Sequence, residues 1–292
     1  AFIDTLLALS AEWRRVLAPH GSIAVELGDT YSDGDENWPE AKSLALVPES
    51  YRLALAYGRN PITGTESPAG RWKVRNVVRW CRPNPPVGAL GDKFRPGTSD
   101  MVIACVSGKR YFDLDAVRTP SDYERKPAAR ATAPGQKPKG CLDTVNAAGA
   151  PPLDWWEVST EAYSGSHYAT WPRKLLTRPI LAMCPQRVCL VCGEPSRRIV
   201  EAEQMDRHGN RPEWQPIHGG GDKGGDTRRF TDRTTIGWTS CGHDAWRNGI
   251  VLDPFAGSGT TLAVATGLGR DALGFDLDER NAALAMERVG MF

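Results

Sequence analysis

No run of about 18 consecutive apolar residues occurs anywhere in this 292-residue chain, so no segment reads as a membrane-spanning helix. A charged n-region followed by a short apolar stretch and a small-residue cleavage site is also missing, so no secretory signal is visible. Excess charge of one sign is absent too. The 36 Lys and Arg against 35 Asp and Glu leave a formal net charge of +1, and any contact with nucleic acid must come from local basic clusters. There is no internal repeat, and no GK[ST] string that would mark a P-loop. An initiating Met is lacking: the chain opens at Ala1, and Phe2 to Val16 (FIDTLLALSAEWRRV) reads at once as an amphipathic helix. That abrupt start suggests an N-terminal truncation.

An α/β alternation is present. After the first helix, a turn at Ala18-Pro19-His20-Gly21 leads into an apolar strand, Ser22 to Leu27, that ends at Gly28-Asp29. Tyr51 to Tyr57 reads as a short helix and Arg75 to Trp80 as a strand. Pro83, Pro85 and Pro86 then break the chain. Asp100 to Val106 is a continuous apolar run suited to a buried strand of a mixed sheet, with Arg110-Tyr111-Phe112 continuing towards a hairpin-like element. Residues 118–150 are rich in Pro, Ala, Gly, Lys and Arg and will not pack a core. A helix is expected from Pro172 to Met183, kinked or interrupted at Pro179, and a polar, flexible stretch from His208 to Asp232.

The clearest signal is C-terminal. Gly249 to Asp253 reads as a buried strand ending in an acid. A glycine-rich turn comes next (Pro254, Phe255, Ala256, Gly257, Ser258, Gly259, Thr260, Thr261), then a helix from Leu262 to Leu268. A second strand, Asp271 to Phe275, ends at Asp276. Asp278 to Val289 is an amphipathic helix with Asp278 as a plausible N-cap and Ala282, Leu284, Ala285, Met286 and Val289 as its apolar positions. Glycines let a backbone approach a ligand, and the helix N-terminus offers unpaired N–H groups to a carboxylate or phosphate. An acid 19 positions after Gly257 can take both hydroxyls of a ribose. The frame suits a nicotinamide, flavin or S-adenosylmethionine cofactor. The third glycine of the dinucleotide fingerprint is missing, because Leu262 stands in its place.

The chain has seven cysteines. Cys189 and Cys192 form a CxxC, and Cys241 and His243 supply a second pair about 50 positions later, which makes a Cys3His tetrahedral zinc set. Unliganded cysteines, or a redox CxxC, are the alternatives. Cys184 reads as buried and inert, and Cys81 and Cys105 as packing residues.

VLDPFAGSGTT, with GFDLD after it, resembles the S-adenosylmethionine motif of DNA amino-methyltransferases, and its late position resembles the β arrangement of that family. The stretch Arg15 to Ser22, running on to Gly28-Asp29-Thr30-Tyr31, resembles the segment just after the catalytic loop in these enzymes. Val77 to Trp80, Pro83 to Pro86, Phe94-Arg95-Pro96 and Asp100 to Ile103 resemble their later sheet segments. His167 to Leu175 resembles the H-x-A-x-(F/W)-P-x-x-L segment that packs against the methionine end of the cofactor.

The resemblance implies a doubly wound, Rossmann-like, permuted S-adenosylmethionine-dependent methyltransferase sheet with a small zinc-knuckle insertion. Its parts would be a catalytic-side half (1–117), a flexible basic insertion (118–150), a cofactor-flanking segment (151–188), the zinc knuckle (189–248) and the cofactor half (249–292). It further implies site-specific methylation of cytosine N4 or adenine N6 in duplex DNA, a restriction endonuclease counterpart, and a cytoplasmic, bacterial or phage-encoded protein. The cofactor residues would be Asp253, Pro254, Phe255, Ala256, Gly257, Ser258, Gly259, Thr260, Thr261 and Asp276, together with His167 and Pro172. Asp29 would line the base pocket or cap a loop. Trp155, Trp156 and Trp171 would stack on adenine or fill the core. Lys126, Arg130, Lys137 and Lys139 would contact phosphates from a target-recognition loop or simply be solvated.

The catalytic (D/N/S)-P-P-(Y/F/W) tetrapeptide of the family does not occur; Asn84-Pro85-Pro86-Val87 is the nearest string. No catalytic residue is therefore assigned, and the chain by itself is expected not to turn over. A catalytically dead DNA-binding or regulatory module with the same fold is the alternative, and an RNA or small-molecule methyltransferase a weaker third.

Overall fold

The computed structural model describes residues 2–35, 38–85, 91–119, 149–161, 171–205 and 230–290. His167 and the basic residues Lys126, Arg130, Lys137 and Lys139 lie outside them. Two compact units are present. The larger contains Ala1–Asp113, Leu153–Arg197 and Ser240–Phe292, and the smaller Leu114–Pro152 and Arg198–Thr239.

The larger unit is built on a four-stranded mixed sheet. Its strands are β1 (Ile23–Leu27), β2 (Lys73–Cys81), β3 (Thr98–Cys105) and β4 (Trp155–Glu157), in the order β1-β3-β2-β4. β3 runs antiparallel to both β1 and β2, and β4 is parallel to β2. The carboxyl ends of β1, β2 and β4 therefore share one edge of the sheet. Every residue of β3 from Ser99 to Cys105 is buried, as its continuous apolar run requires of a strand covered on both faces. Val102 and Ala104 meet α1 (Phe2–Val16) and α2 (Val47–Tyr57) on one face, alongside Leu6, Leu7, Tyr51 and Leu55. Met101 and Ile103 point the other way, to Val78, Trp80, Trp156 and Leu175. Trp156 is thus a core residue, while Trp155 is half exposed. The one acid inside β3, Asp100, is 1% exposed and lies 3.0 Å from Arg79 and 3.3 Å from Arg52.

α3 (Arg173–Met183) runs through Pro179 without a break; the interruption expected there does not occur. Proline removes one backbone donor, but its ring is buried within the helix's packed face. Leu176 and Ile180 of α3 pack against Val264 and Ala265 of α4 (Thr260–Gly267), with Val251 and Ala272 beside them. Those last two belong to β9 (Ile250–Asp253) and β10 (Asp271–Gly274), a parallel pair in register from Ile250↔Asp271 to Asp253↔Gly274. Among the described residues this pair is not hydrogen-bonded to the four-stranded sheet. The expected doubly wound sheet is thus represented, among the described residues, by a four-stranded mixed sheet and a parallel pair, with α3 packed against both. Among the described residues β1 pairs with β3 alone and β9 with β10 alone.

Other expectations need correction. Arg110-Tyr111-Phe112 is not part of a hairpin. The Arg197 guanidinium donates to the carbonyls of Lys109 and Arg110 (2.9 and 3.2 Å), and the Tyr111 amide donates to His20, so side chain and turn take the groups a ladder would use. The final helix, α5 (Arg280–Gly290), buries Asn281 and Arg288 and leaves Met286 76% exposed. Its inward face is polar because its neighbour is the glycine-rich turn and not an apolar core.

The smaller unit contains an antiparallel hairpin of β6 (Arg198–Met205) and β7 (Phe230–Trp238) with a bulge between Ile199 and Val200. A bridge between Thr119 and Ala150 closes the base of the basic segment, and Arg118 donates to the Gly149 carbonyl (3.0 Å).

In the larger unit, Ser10 donates to the Leu6 carbonyl (2.7 Å) and accepts the buried Tyr51 hydroxyl (2.7 Å). Burial pushes the Tyr51 phenol up to about 12. Ser10→Ala leaves that phenol without an acceptor and should cost about 1–3 kcal/mol, read as a lower urea midpoint. Adding Tyr51→Phe should recover part of the loss; a double variant no more stable than Ser10→Ala would refute this account.

Candidate functional site

β9 delivers its last residue, Asp253, to the turn Pro254-Phe255-Ala256-Gly257-Ser258-Gly259. Asp253 begins to shape it: its carboxylate accepts the Phe255 amide (3.0 Å). The Ala256 amide donates to the Phe275 carbonyl and the Phe275 amide to Asp253 (both 2.9 Å), which stitches the turn to the end of β10. Gly259 caps α4 with φ +77°, and a Cβ there would stand 2.7 Å from Ala285 on α5. A residue without a side chain is needed at this position on both counts. Thr260 and Thr261 then open α4, whose first amides point into the turn.

Asp276 sits over this turn. Its Oδ2 accepts the Gly257 amide at 2.8 Å, and its Oδ1 accepts the Asp278 amide and the Asn281 side chain, each at 2.9 Å. Glycine turn, helix start and second-strand acid are thus brought together as the spacing predicts. The exposed rings of Phe255 and Phe275 and the side chain of Leu277 rim the site. Phe255 also meets Trp13 of α1 edge-on, with centroids 6.4 Å apart.

Two supporting residues escaped the sequence reading: Asn281, which orients Asp276, and Arg288, which donates to Ser258 Oγ at 2.7 Å while 7% exposed. With Ala285 they fall at i, i+4 and i+7, one face of a helix, and that spacing was the available signal. Pro172 is buried as the residue preceding α3.

Asp29 serves as a cap. Its two carboxylate oxygens accept the amides of Leu46 and Val47, each at 3.1 Å, where Leu46 takes φ +57° ahead of α2.

Cys189, Cys192, Cys241 and His243 converge, their four ligand atoms lying within 4.8 Å of one another. His243 Nδ1 is 3.3 Å from the Cys241 sulfur and 3.5 Å from that of Cys189. Cys189 ends β5 (Arg187–Cys189), whose antiparallel partner is β8 (Trp246–Asn248). Its sulfur accepts the amides of Val191 (3.3 Å) and Cys192 (3.5 Å). Burial opposes ionisation of this thiol, but the amide donors together with the Cys241 and Cys192 thiols outweigh it and bring the thiol down to about 6. Cys184 and Cys105 are buried, as expected of packing residues. Burial pushes the Cys184 thiol up to about 11.

A profile of the DNA methylase family (N6_N4_Mtase) matches residues 1–188 and 240–287, which include the whole glycine turn and Asp276. This chain belongs to the DNA methylase family. The Type II methyltransferase M.SmaI of Serratia marcescens is 25% identical over 310 residues, covering 99% of this chain and 74% of that protein. M.Cfr9I of Citrobacter freundii, also a Type II methyltransferase, is 24% identical over 62% of this chain and 56% of its own length. Among solved structures, PvuII DNA methyltransferase (cytosine-N4-specific) matches with a TM-score of 0.55 at 12% identity, covering 98% of this chain and 70% of that one, a likeness of fold. The DNA methylase profile leaves out residues 189–239, where Cys189 and Cys192 lie.

Asp29→Ala should cost about 1 kcal/mol of stability, measured as a shift in urea midpoint, whereas Asp29→Asn should keep most of it. Unchanged stability in Asp29→Ala would show that the cap is not what the carboxylate contributes.

Proposed function

We propose that this chain is the cofactor-binding and base-presenting part of a site-specific methyltransferase that acts on an exocyclic amino group, cytosine N4 or adenine N6, of duplex DNA in the bacterial cytoplasm, with a restriction endonuclease as counterpart. The supporting observation is the family match over a turn whose glycines, helix start and acid are already assembled. S-adenosylmethionine, when bound, supplies an electrophilic methyl group that the amino nitrogen takes in line.

The protein's contribution is placement. The amides that open α4 and the turn from Asp253 to Thr261 receive the amino-acid carboxylate of the cofactor, and Asp276 receives the ribose hydroxyls, with Asn281 fixing its rotamer. The aromatic rim of Phe255 and Phe275 would flank the adenine. Pro172 would border the methionine end, where the family resemblance also assigns His167. A target base turned out of the duplex enters from the carboxyl ends of the strands. The basic segment 118–150 holds the duplex by its phosphates.

We also infer that Cys189, Cys192, Cys241 and His243 hold a zinc ion. Their convergence, and the amide donors on the Cys189 sulfur, fit a closed tetrahedral structural site.

Equilibrium binding of labelled S-adenosylmethionine to the 292-residue chain tests the reading. Binding is expected, and Asp276→Ala should weaken it by about tenfold to a hundredfold, the value of a hydrogen bond to a charged group. Thermal unfolding should show that the variant still folds. A wild-type chain that binds duplex DNA but no cofactor would instead be a DNA-binding module that kept the fold.

A further inference from the structure

We propose that the metal node controls affinity for S-adenosylmethionine, because it sets the position of the strand that carries the cofactor turn. This rests on the zinc and cofactor readings above and adds an energetic link between the two sites.

The link is covalently short. β8 comes soon after His243 and ends at Asn248; Gly249 is next, and β9 begins at Ile250 and ends at Asp253. Only Asp244, Ala245, β8, Gly249 and β9 separate His243 from the glycine turn, and Asp253 comes ten positions after His243. The joint between them has no slack. A Cβ on Gly249 would run into the Pro185 carbonyl oxygen and stand 2.8 Å from the Cys184 sulfur. The Arg270 guanidinium, 8% exposed, donates to the Cys184 carbonyl at 3.2 and 3.4 Å. Asn248 donates to Asp271 at 2.9 Å, and the Asp271 amide to the Gly249 carbonyl at 2.9 Å. The first residues of β9 and β10 are therefore tied to the end of α3 and to β8.

Among the described residues β8 pairs with β5 over three residues, and an isolated two-stranded pairing of that size is marginal in water. The two strands are separated in sequence by the whole stretch from 190 to 245, and bringing its ends together costs closure entropy. The Leu190 amide bonded to Ala245 adds one bond between the two sides, and the Asn248 side chain bonded to Asp271 ties the end of β8 to β10. An ion bound to Cys189 and Cys192 on one side and to Cys241 and His243 on the other closes that loop directly. With the ion absent, β8 loses its anchor, the joint at Gly249 relaxes, and the turn after Asp253 no longer meets Asp276 at hydrogen-bonding distance. By linkage, cofactor binding must tighten metal binding by the same factor.

The measurement is titration calorimetry with S-adenosylmethionine on the purified chain, with metal content read in parallel. One equivalent of zinc is expected. Stripping it with a chelator should weaken cofactor binding at least tenfold, and added zinc chloride should restore it. Saturating S-adenosylmethionine should in turn slow zinc loss to the chelator. Cys192→Ser, at an exposed ligand, should lower zinc retention and cofactor affinity together, while Cys81→Ser, outside the set, should change neither. A zinc-free protein that binds the cofactor as tightly as the loaded one overturns the link while leaving the methyltransferase reading intact. A chain that takes up no zinc overturns the metal assignment and the link with it. Absence of cofactor binding in both forms removes the methyltransferase reading instead.

Discussion

α3 has to be apolar in two directions at once, and this requirement fixes the placement of the site. Leu175 faces Met101, Ile103 and Trp156 of the four-stranded sheet, while its neighbour Leu176, with Ile180, faces α4 and the β9–β10 pair. Successive helical residues diverge by about 100°, so one helix can fill both gaps only if each side chain is chosen for its own cluster. Each such burial is worth about 1.5–3 kcal/mol. No strand pairing joins the two sheets among the described residues, and this packing is what sets the glycine turn relative to the carboxyl ends of β1, β2 and β4.

The buried charge in the larger unit is handled differently from its buried apolar surface. Asp100 lies in the middle of the sheet, where an unpaired carboxylate would be strongly disfavoured. Arg52 from α2 and Arg79 from β2 reach it from two elements. The pairing therefore records a relative position of helix and sheet that hydrophobic contact alone would leave adjustable.

The cofactor turn was legible in the sequence because its chemistry demands particular residue types at fixed spacing: glycines where backbone must bend left-handed, an acid where the next strand ends. The convergence of Cys189, Cys192, Cys241 and His243 was legible for the same reason, since residue type and spacing are local facts even when the two halves are far apart in the chain. The strands β1, β2 and β3 were readable from apolar runs, with ends displaced by one or two residues. The features that stayed hidden were decided by neighbours. Apolar periodicity could not show that α5 would turn Asn281 and Arg288 inward, because those residues are buried by their hydrogen bonds to Asp276 and Ser258. The β6–β7 hairpin has too little alternating apolar character to stand out from the polar sequence around it. Asp29 was readable as an acid at a strand end, but only tertiary structure brings Leu46 and Val47 to its carboxylate.

The Cys189/Cys192 and Cys241/His243 pairs bracket the hairpin in sequence, and the stretch omitted by the family profile spans it. With the proposed ion bound, they would clasp the two roots of that stretch and confine whatever happens beyond them. The arm can be lengthened, shortened or exchanged among descendants of this protein while strand β9 keeps its seat, so the part of the molecule freest to diversify is separated from the part that cannot move.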